Sequence, residues 1–323
     1  MHVLVTGGAG YIGSVIAARL LARGHAVTVY DDLSRGHLAA VPAGAAFVEG
    51  DIRDRSRVQA ALLDERCDAI VHMAALAEVG ESVAQPERYH DVNVNGTAAV
   101  IAAAAAAAVG RLVFSSTAAV YGEPRRTPID EDDELAPTNP YGAGKLAAER
   151  LLEEARQAGR LAFTALRYFN ACGADAPRGE DHDPETHLIP LALSAARDGT
   201  ALRVFGGDYP TPDGTCVRDY VHVADLSDAH ILALEALPEV QGAFNLGTGR
   251  GASVTCVLDA VCRLSGREVR REMVARRAGD PPALVASGRR AAERLGWRPR
   301  RGLDDAVRDA WTWMLAHPQG YAD

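Results

Sequence analysis

A glycine-rich turn near the start of the chain is the feature that most constrains the fold. It runs from Thr6 to Gly13 (TGGAGYIG), between an apolar run at residues 3–6 and a helical pattern at residues 12–23. Glycines at this spacing let the backbone turn tightly and approach a pyrophosphate, which then rests on the helix N-terminus. The strand before and the helix after make the signal more specific than a glycine triplet alone. The alternative is a tight turn without a ligand. We predict a dinucleotide-binding turn whose cofactor contacts are Gly7, Gly10, Tyr11, Ile12 and Gly13.

An acidic residue closes the second strand-like run. Asp31 follows Val27 to Tyr30, where a carboxylate can accept hydrogen bonds from both hydroxyls of an adenosine ribose and repel a 2′-phosphate. NAD is therefore favoured over NADP, with Arg35 as a small counterweight. Asp51 and Ile52, at the end of a third run, are predicted to frame the adenine, and a plain strand-end turn is the alternative.

Strand-like runs alternate with helical patterns through the N-terminal half. Further runs occupy residues 69–73, 111–116 and 163–167, and a helix with seven consecutive alanines is predicted over residues 93–109. This alternation predicts an α/β fold, a Rossmann-type doubly wound parallel sheet. Beyond about residue 170, loops rich in Pro, Gly and Asp dominate. We expect a dinucleotide-binding domain at residues 1–170 and a smaller mixed substrate domain at 171–323, with some segments returning to the sheet.

Composition excludes several classes of partner. The net charge of -9 argues against nucleic acid or an anionic membrane surface as the main partner. No stretch reaches the ~18 apolar residues of a membrane span, and no signal peptide is recognisable. Five cysteines without a C-x-x-C motif are typical of buried thiols in a reducing compartment. We expect a cytoplasmic protein without a membrane or nucleic-acid partner.

The chain has a single lysine among 34 lysines and arginines, and it lies four residues after a tyrosine. Positions i and i+4 of a helix share a face, so Tyr141 and Lys145 would project together. A nearby cation lowers the pKa of a phenol, ~10 when unperturbed, toward that of a working general base. Thr117, after Ser115 and Ser116, would hydrogen-bond the same reacting oxygen. We predict Tyr141 as the base, with Lys145 and Thr117 as its catalytic partners. The alternative is a surface helix pair.

The combination of T-G-x-x-G-x-x-G with Y-x-x-x-K resembles the extended short-chain dehydrogenase/reductases, and more narrowly the UDP-glucose 4-epimerase group. The resemblance runs nearly end to end. Its further segments are residues 72–75, 79–83, 93–97, 166–170, 206–211, 217–223, 276–280 and 317–321.

This resemblance implies reversible C4 epimerisation of UDP-galactose and UDP-glucose, by transient hydride transfer to tightly bound NAD through a 4-keto intermediate. It also implies a homodimer. It adds to the cofactor contacts Ala74, Asn93, Ser115, Lys145, Tyr168 and Phe169. It implies that the sugar lies against Thr117 and Tyr141, and that the UDP moiety is held by Asn170, His187, Leu188, Phe205, Arg218, Arg277 and Asp280.

Three positions depart from the family pattern. Ala77 stands where some members have a lysine that reaches cofactor and substrate, and His187 stands where others have an asparagine. Leu284 replaces a tyrosine that closes the pocket against N-acetylated sugars in some members. An epimerase that prefers or also accepts UDP-N-acetylhexosamines is therefore the closest alternative.

Two other functions on the same fold are weaker alternatives. A nucleotide-sugar 4,6-dehydratase needs an Asp and a Glu directly after the threonine to eliminate water, and this chain has Ala118 and Ala119. A non-catalytic NAD-sensing protein typically lacks the tyrosine or the lysine, and both are present.

Two polar segments are not expected to be sites. His182, Asp183, Glu185 and His187 resemble metal ligands, but Pro184 breaks any helix and the histidines share no helical face, so we expect no metal. The acidic run at residues 130–134 is expected to be a solvated loop.

Overall fold

The N-terminal half of the chain folds as alternating strands and helices. The computed structural model describes residues 1–277 and 279–322. Ala278, part of the 276–280 segment, and Asp323 lie outside the described residues. The elements of this half are β1 (His2–Thr6), α1 (Tyr11–Ala22), β2 (Ala26–Asp31), β3 (Ala46–Glu49), α2 (Arg55–Asp64), β4 (Ala69–His72), α3 (Val79–Ala84), α4 (Pro86–His90), α5 (Gly96–Ala106), β5 (Arg111–Thr117), α6 (Pro140–Gln157) and β6 (Ala162–Tyr168).

Beyond β6 the elements are shorter and more varied. They are β7 (Asn170–Cys172), α7 (Leu188–Asp198), β8 (Ala201–Phe205), β9 (Val217–His222), α8 (Val223–Ala236), β10 (Gly242–Leu246), β11 (Gly251–Ser253), α9 (Val254–Ser265), β12 (Arg270–Val274), β13 (Ala283–Leu284), α10 (Arg289–Arg294) and α11 (Leu303–Ala316).

Within the described residues, the central sheet has seven strands in the order β10-β6-β5-β4-β1-β2-β3. All of its neighbouring strands are parallel. The chain proceeds outward from β1 through β2 and β3, then returns to β4 and proceeds the other way, so the strand order reverses between β1 and β4. Ligands of doubly wound sheets bind at the carboxyl ends of the strands beside such a reversal. The predicted Rossmann-type fold is confirmed.

Helices cover both faces of this sheet. One face packs on α1 and α8, through fully buried residues such as Ile16 and Leu234. The other packs on α2, α5 and α6, and there Ala103 and Ala104 of the alanine run are buried beside Leu62. Small side chains let these helices approach one another closely. The helix predicted at 93–109 ends earlier, at Ala106, and its first residues belong to a π-helical turn (91–95) that continues directly into α5.

Two smaller sheets lie beyond the central one. Strand β9 pairs with β11, β13 and β7, and β8 pairs with β12. Helices α7, α9 and α11 pack together around a second apolar core that includes Leu193, Leu258 and Val307. Because β10 joins the central sheet and α8 covers it, segments beyond residue 170 contribute to both cores. The division at residue 170 stays a prediction.

The exposure of the acidic run at residues 130–134 and of the cysteines differs in part from the expectation. Within the acidic run, the side chain of Glu131 is 1% exposed, because its carboxylate accepts a hydrogen bond (2.8 Å) from the backbone N–H of Asn245. The run is therefore not solvated throughout. Of the five cysteines, all free, three are buried but Cys256 is exposed and Cys262 is partly exposed. In the described part of the chain, no helix combines the length and apolarity needed to cross a bilayer.

The contribution of β10 to the central sheet can be tested with Phe244, which is fully buried in the core against α8. Replacing Phe244 with Ala removes a large apolar side chain and leaves a cavity, so we expect a loss of about 3–5 kcal/mol in the free energy of unfolding. Urea denaturation measures it. The control is Met273→Ala on β12, where the side chain is 55% exposed and the expected change is within about 0.5 kcal/mol. Similar small losses for both variants would contradict the placement of β10.

Candidate functional site

The glycine turn follows β1 at the carboxyl edge of the sheet. Gly7 has φ +67°, and a Cβ there would lie 2.5 Å from the backbone nitrogen of Ala74. A Cβ on Gly13 would lie 2.1 Å from the carbonyl oxygen of Gly7, whereas one on Gly10 would find its nearest neighbour at 3.4 Å. Gly7 and Gly13 are therefore required by the protein's own packing. Gly10 caps the N-terminus of α1, and the protein's own packing does not require a glycine there.

Asp31 lies beside this turn at the end of β2. Its carboxylate accepts hydrogen bonds from the backbone N–H groups of Ala9 (3.0 Å) and Leu33 (2.9 Å). Burial raises the pKa of Asp31, and these two hydrogen bonds oppose the rise. Each carboxylate oxygen retains a lone pair for a ribose hydroxyl. The turn, the α1 N-terminus and this acid thus meet the requirements of a dinucleotide.

The predicted adenine contacts lie next to β3. The carboxylate of Asp51 is paired with Arg53, whose hydrogen bonds lower its pKa, and its carbonyl accepts the hydroxyl of Tyr30. The side chain of Ile52 is buried and packs near Gly96. Their role toward adenine stays a prediction.

Asn93 shapes the loop after β4. Its amide oxygen accepts from the N–H of Leu76 and its amide nitrogen donates to the carbonyl of the same residue, both at 2.9 Å. Asn93 is 2% exposed and lies in the π-helical turn, so this side chain holds the segment that contains Ala74 against the sheet edge. Ala77, which stands where some family members have a lysine, is exposed.

Lys145 is buried in α6, with 2% of its surface exposed. Its Nζ donates a 2.8 Å hydrogen bond to the carbonyl of Ser115 and lies 4.9 Å from the ring centroid of Phe114. The Ser115 hydroxyl accepts a hydrogen bond from Tyr168, another predicted cofactor contact. Burial lowers the pKa of Lys145 to about 7, against a smaller rise from the charge of Glu149.

Tyr141 lies in the first turn of α6, which Asn139 caps by accepting from the N–H of Gly142. Burial raises the pKa of Tyr141 to about 12, and hydrogen bonding to the Thr117 hydroxyl opposes the rise. The expectation that Lys145 draws this pKa down toward neutrality is therefore not met, because desolvation outweighs the favourable neighbours. The helix N-terminus, with its positive dipole end, also favours a phenolate here.

A buried polar network behind Lys145 was missed at the sequence level. Glu149 forms a bidentate ion pair with Arg167 of β6 (2.9 and 2.6 Å) and accepts from Ser116 (2.5 Å). Arg167 also donates to the hydroxyl of Tyr121. Two signals point to the pair: Glu149 follows Tyr141 and Lys145 at four-residue spacing, and Arg167 interrupts an apolar strand.

Some of the predicted UDP-binding residues lie on or beside β9, whereas Phe205 ends β8 of another sheet. Arg218 pairs with Asp280 and lies opposite Leu284 in the β9–β13 register. The guanidinium of Arg277 lies 3.9 Å from the ring centroid of Phe205. Asn170 begins β7, which also pairs with β9. Leu284 packs against the same apolar cluster as Phe169, so the two predicted sites are adjacent.

His187 and Leu188 lie where α7 begins, and His187 has acidic neighbours. Its Nδ1 lies 2.8 Å from Glu180 and 3.0 Å from Glu185. Burial lowers the pKa of His187, but the contact with Glu180 outweighs burial and raises it. Although His182 and His187 share no helical face, the loop brings them together. The two histidines form a cluster with Glu185 and Glu180, and the exposed Asp183 lies outside this cluster.

The reversal of strand order between β1 and β4, together with the glycine turn beside it, defines a dinucleotide-binding protein of the Rossmann class. The model of the NAD dependent epimerase/dehydratase family matches residues 3–247. A UDP-glucose 4-epimerase of Streptomyces lividans is 49% identical, over 99% of this chain and 98% of that protein. The chain belongs to the NAD dependent epimerase/dehydratase family.

Solved structures are similar along the whole chain. The UDP-glucose 4-epimerase of Brucella ovis in complex with NAD has a TM-score of 0.93 at 49% identity, covering 97% of this chain and 98% of that one. The UDP-glucose 4-epimerase of Bifidobacterium longum in complex with NAD+ and UDP has a TM-score of 0.94 at 33% identity, covering 99% and 100%.

The two kinds of glycine in the turn can be separated by substitution. Gly13→Ala forces a Cβ against the Gly7 carbonyl, so we expect a loss of about 1–3 kcal/mol in the free energy of unfolding. Gly10→Ala meets no close atom and should cost less than about 1 kcal/mol, the difference between these residues at a helix N-cap. It should nonetheless reduce the NAD retained through purification, because its methyl group occupies space used by the pyrophosphate. Urea denaturation and the absorbance of released dinucleotide are the measurements. Equal stability losses would contradict this assignment.

Proposed function

We propose that the protein interconverts UDP-galactose and UDP-glucose at C4 with NAD bound throughout turnover, in the cytoplasm. The observation that carries this proposal is the convergence, at the carboxyl edge of one sheet, of the glycine turn, the buried Lys145 and the half-buried Tyr141 beside Thr117. The UDP-glucose 4-epimerases to which the chain is similar along its whole length support the substrate and the reaction.

The residues present fit NAD. The turn between β1 and α1 would hold the pyrophosphate, Asp31 the adenosine ribose, and Lys145 the nicotinamide ribose. When bound, NAD accepts a hydride from the sugar and returns it, so the net redox change is zero. Because Asp31 is fixed by two backbone N–H groups, its carboxylate is held for the ribose and faces a 2′-phosphate with like charge.

Tyr141 would take the proton of the sugar 4-hydroxyl and return it when the 4-keto sugar has turned over. Its phenol needs help to ionise, since burial holds its pKa at about 12. Help comes from the Thr117 hydroxyl, from the N-terminus of α6 and from the ammonium of Lys145 on the same helix face. Thr117 is fixed in turn, because its hydroxyl oxygen accepts the N–H of Ala119 at 3.1 Å.

The UDP moiety would lie against β9 and the loop before β13. Arg218 and Arg277 supply two guanidinium groups for the diphosphate, and planar guanidinium groups suit bidentate phosphate contacts. Phe205 supplies an aromatic face beside Arg277 for the uracil. Asn170, His187, Leu188 and Asp280 complete the proposed contacts.

The reaction is tested by incubating the purified protein with UDP-galactose, without added cofactor, and following the anomeric protons by NMR. We expect UDP-glucose to appear, because NAD is retained from expression. Tyr141→Phe should lower turnover by about 10²–10⁴-fold, the usual contribution of a general base, with its NAD content unchanged. Full activity in Tyr141→Phe would exclude Tyr141 as the base.

The matched control is Tyr89→Phe. It removes a buried hydroxyl that donates to Glu81 at 3.0 Å and is not assigned to the cofactor or the sugar, so turnover should be unchanged. If no UDP-glucose forms, NAD and then UDP-N-acetylgalactosamine are added in turn. The second sugar is a candidate because Leu284 is smaller than the tyrosine that closes the pocket in some family members. Absence of conversion under all conditions would contradict the proposed function.

We further propose that the chain forms a homodimer through α4 and α6. A groove of about 350 Å³ between these helices is lined mainly by small or apolar side chains, and Val83 of the adjacent α3 is 65% exposed. The α6 residues Ala143, Gly144 and Ala147 allow another helix to approach closely. Exposed apolar surface of this kind is typical of protein–protein contacts, and a two-fold axis would bury the same face on both copies.

Ala147→Glu tests this face. A carboxylate at the centre of the interface would be buried opposite its symmetry mate, so we expect a monomer in sedimentation velocity where the wild type is a dimer. The control, Ala22→Glu, adds the same charge at an exposed position at the end of α1 and should leave a dimer. A wild-type monomer, or a dimer unaffected by Ala147→Glu, would contradict the proposal.

A further inference from the structure

Two histidines and two glutamates meet in the loop between β7 and α7, and one of them, His187, is also a proposed UDP contact. One ligand atom from each of Glu180, His182, Glu185 and His187 lies within 4.8 Å of all the others. Imidazole nitrogens and carboxylate oxygens are both ligands that zinc accepts in proteins. The loop folds so that positions 180, 182, 185 and 187 converge, although Pro184 interrupts it.

The distances suit a tetrahedral ion. Zinc bonds of 2.0–2.2 Å to nitrogen and oxygen place neighbouring ligand atoms about 3.4 Å apart. Glu180 Oε1 lies 2.8 Å from Nδ1 of His187 and 3.3 Å from Nδ1 of His182. Glu185 lies 3.0 Å from Nδ1 of His187 through Oε1 and 3.8 Å from Nδ1 of His182 through Oε2. These four separations lie on both sides of the tetrahedral edge length.

One ring nitrogen of the cluster has no hydrogen-bond partner in the described part of the chain. Nδ1 of His182 is buried and forms no hydrogen bond with the described residues, although Glu180 is close to it. Buried polar atoms without a partner are uncommon and require an explanation. A metal ion supplies one, because it accepts the imidazole lone pair.

The charge balance also favours a divalent cation. The two carboxylates carry two negative charges, and the side chain of Glu180 is only 7% exposed. A divalent cation would match these two charges.

We propose that Glu180, His182, Glu185 and His187 bind one zinc ion per chain. The ion would hold the β7–α7 loop in place. This loop already contacts two other parts of the molecule, because Thr186 donates to Glu78 (2.5 Å) and Arg35 donates to the carbonyl of Asp183 (2.8 Å). The proposed ion therefore has a structural role beside the α7 N-terminus and takes no part in hydride or proton transfer.

Metal content and affinity test the site without any sugar or activity measurement. The protein is treated with a chelator, dialysed, and titrated with Zn²⁺ by calorimetry, and bound metal is counted by elemental mass spectrometry. We expect one zinc per chain and a raised midpoint of thermal unfolding. Co²⁺ in place of zinc should give the intense visible absorption of four-coordinate cobalt.

His182→Asn and Glu185→Gln each remove one ligand and should weaken zinc binding by at least about tenfold, since even outer contacts of a metal site have effects of that size. His25 and Glu235 offer matched controls, because they form a contact (3.6 Å) between the α1–β2 turn and α8. His25→Asn and Glu235→Gln should bind zinc as the wild type does.

Two results would overturn the proposal: a wild type that binds no zinc, or cluster variants that bind it as tightly as the controls do. If His182→Asn fails to fold by circular dichroism, Glu185→Gln and the cobalt spectrum of the wild type decide the question. Since no substrate is used, the outcome is independent of the proposed epimerisation.

Discussion

Burial of the Lys145 ammonium is the constraint on which the rest of the site depends. A buried ammonium loses several kcal/mol of hydration unless nearby groups replace the lost water. The Ser115 carbonyl at 2.8 Å and the face of Phe114 replace part of it, and Glu149 supplies the opposite charge one helical turn further on. A guanidinium would require more space and more acceptors than one carbonyl offers, which explains a lysine in a chain that otherwise uses arginine.

The ion pair and hydrogen bonds that compensate the charge of Lys145 extend across the fold. Glu149 is committed to Arg167 on β6, Arg167 donates to Tyr121, and the Tyr121 hydroxyl donates to Asn245 on β10 at 2.7 Å. The network therefore joins α6 to the strand that returns to the sheet from the C-terminal half. A change in β10 thus reaches the environment of Lys145 through hydrogen bonds, although the two are a hundred residues apart in sequence.

Local patterns in the sequence were enough to predict the sheet and the glycine turn. Each central strand through β6 is a short apolar run, and the turn is specified by consecutive residues. Three features were not predictable in this way: the position of β10, the burial of Glu131 and the place of Glu180 beside the histidines. All three depend on contacts between distant segments, and hydrophobic periodicity does not report those. Likewise, the four-residue spacing predicts that Tyr141 and Lys145 share a helix face, but it carries no information about desolvation.

Desolvation changes how the two groups act. Burial disfavours the phenolate of Tyr141 and the ammonium of Lys145 separately, which raises one pKa to about 12 and lowers the other to about 7. A phenolate beside an ammonium is neutral as a pair, so each charge reduces the cost of the other. In the proposed reaction their protonation would be coupled, and a pKa measured during turnover would belong to the pair rather than to Tyr141 alone. A neutral residue at position 145 would leave a buried phenolate without a counter-charge. In the proposed reaction the lysine would therefore act chiefly by making that charge tolerable within the protein.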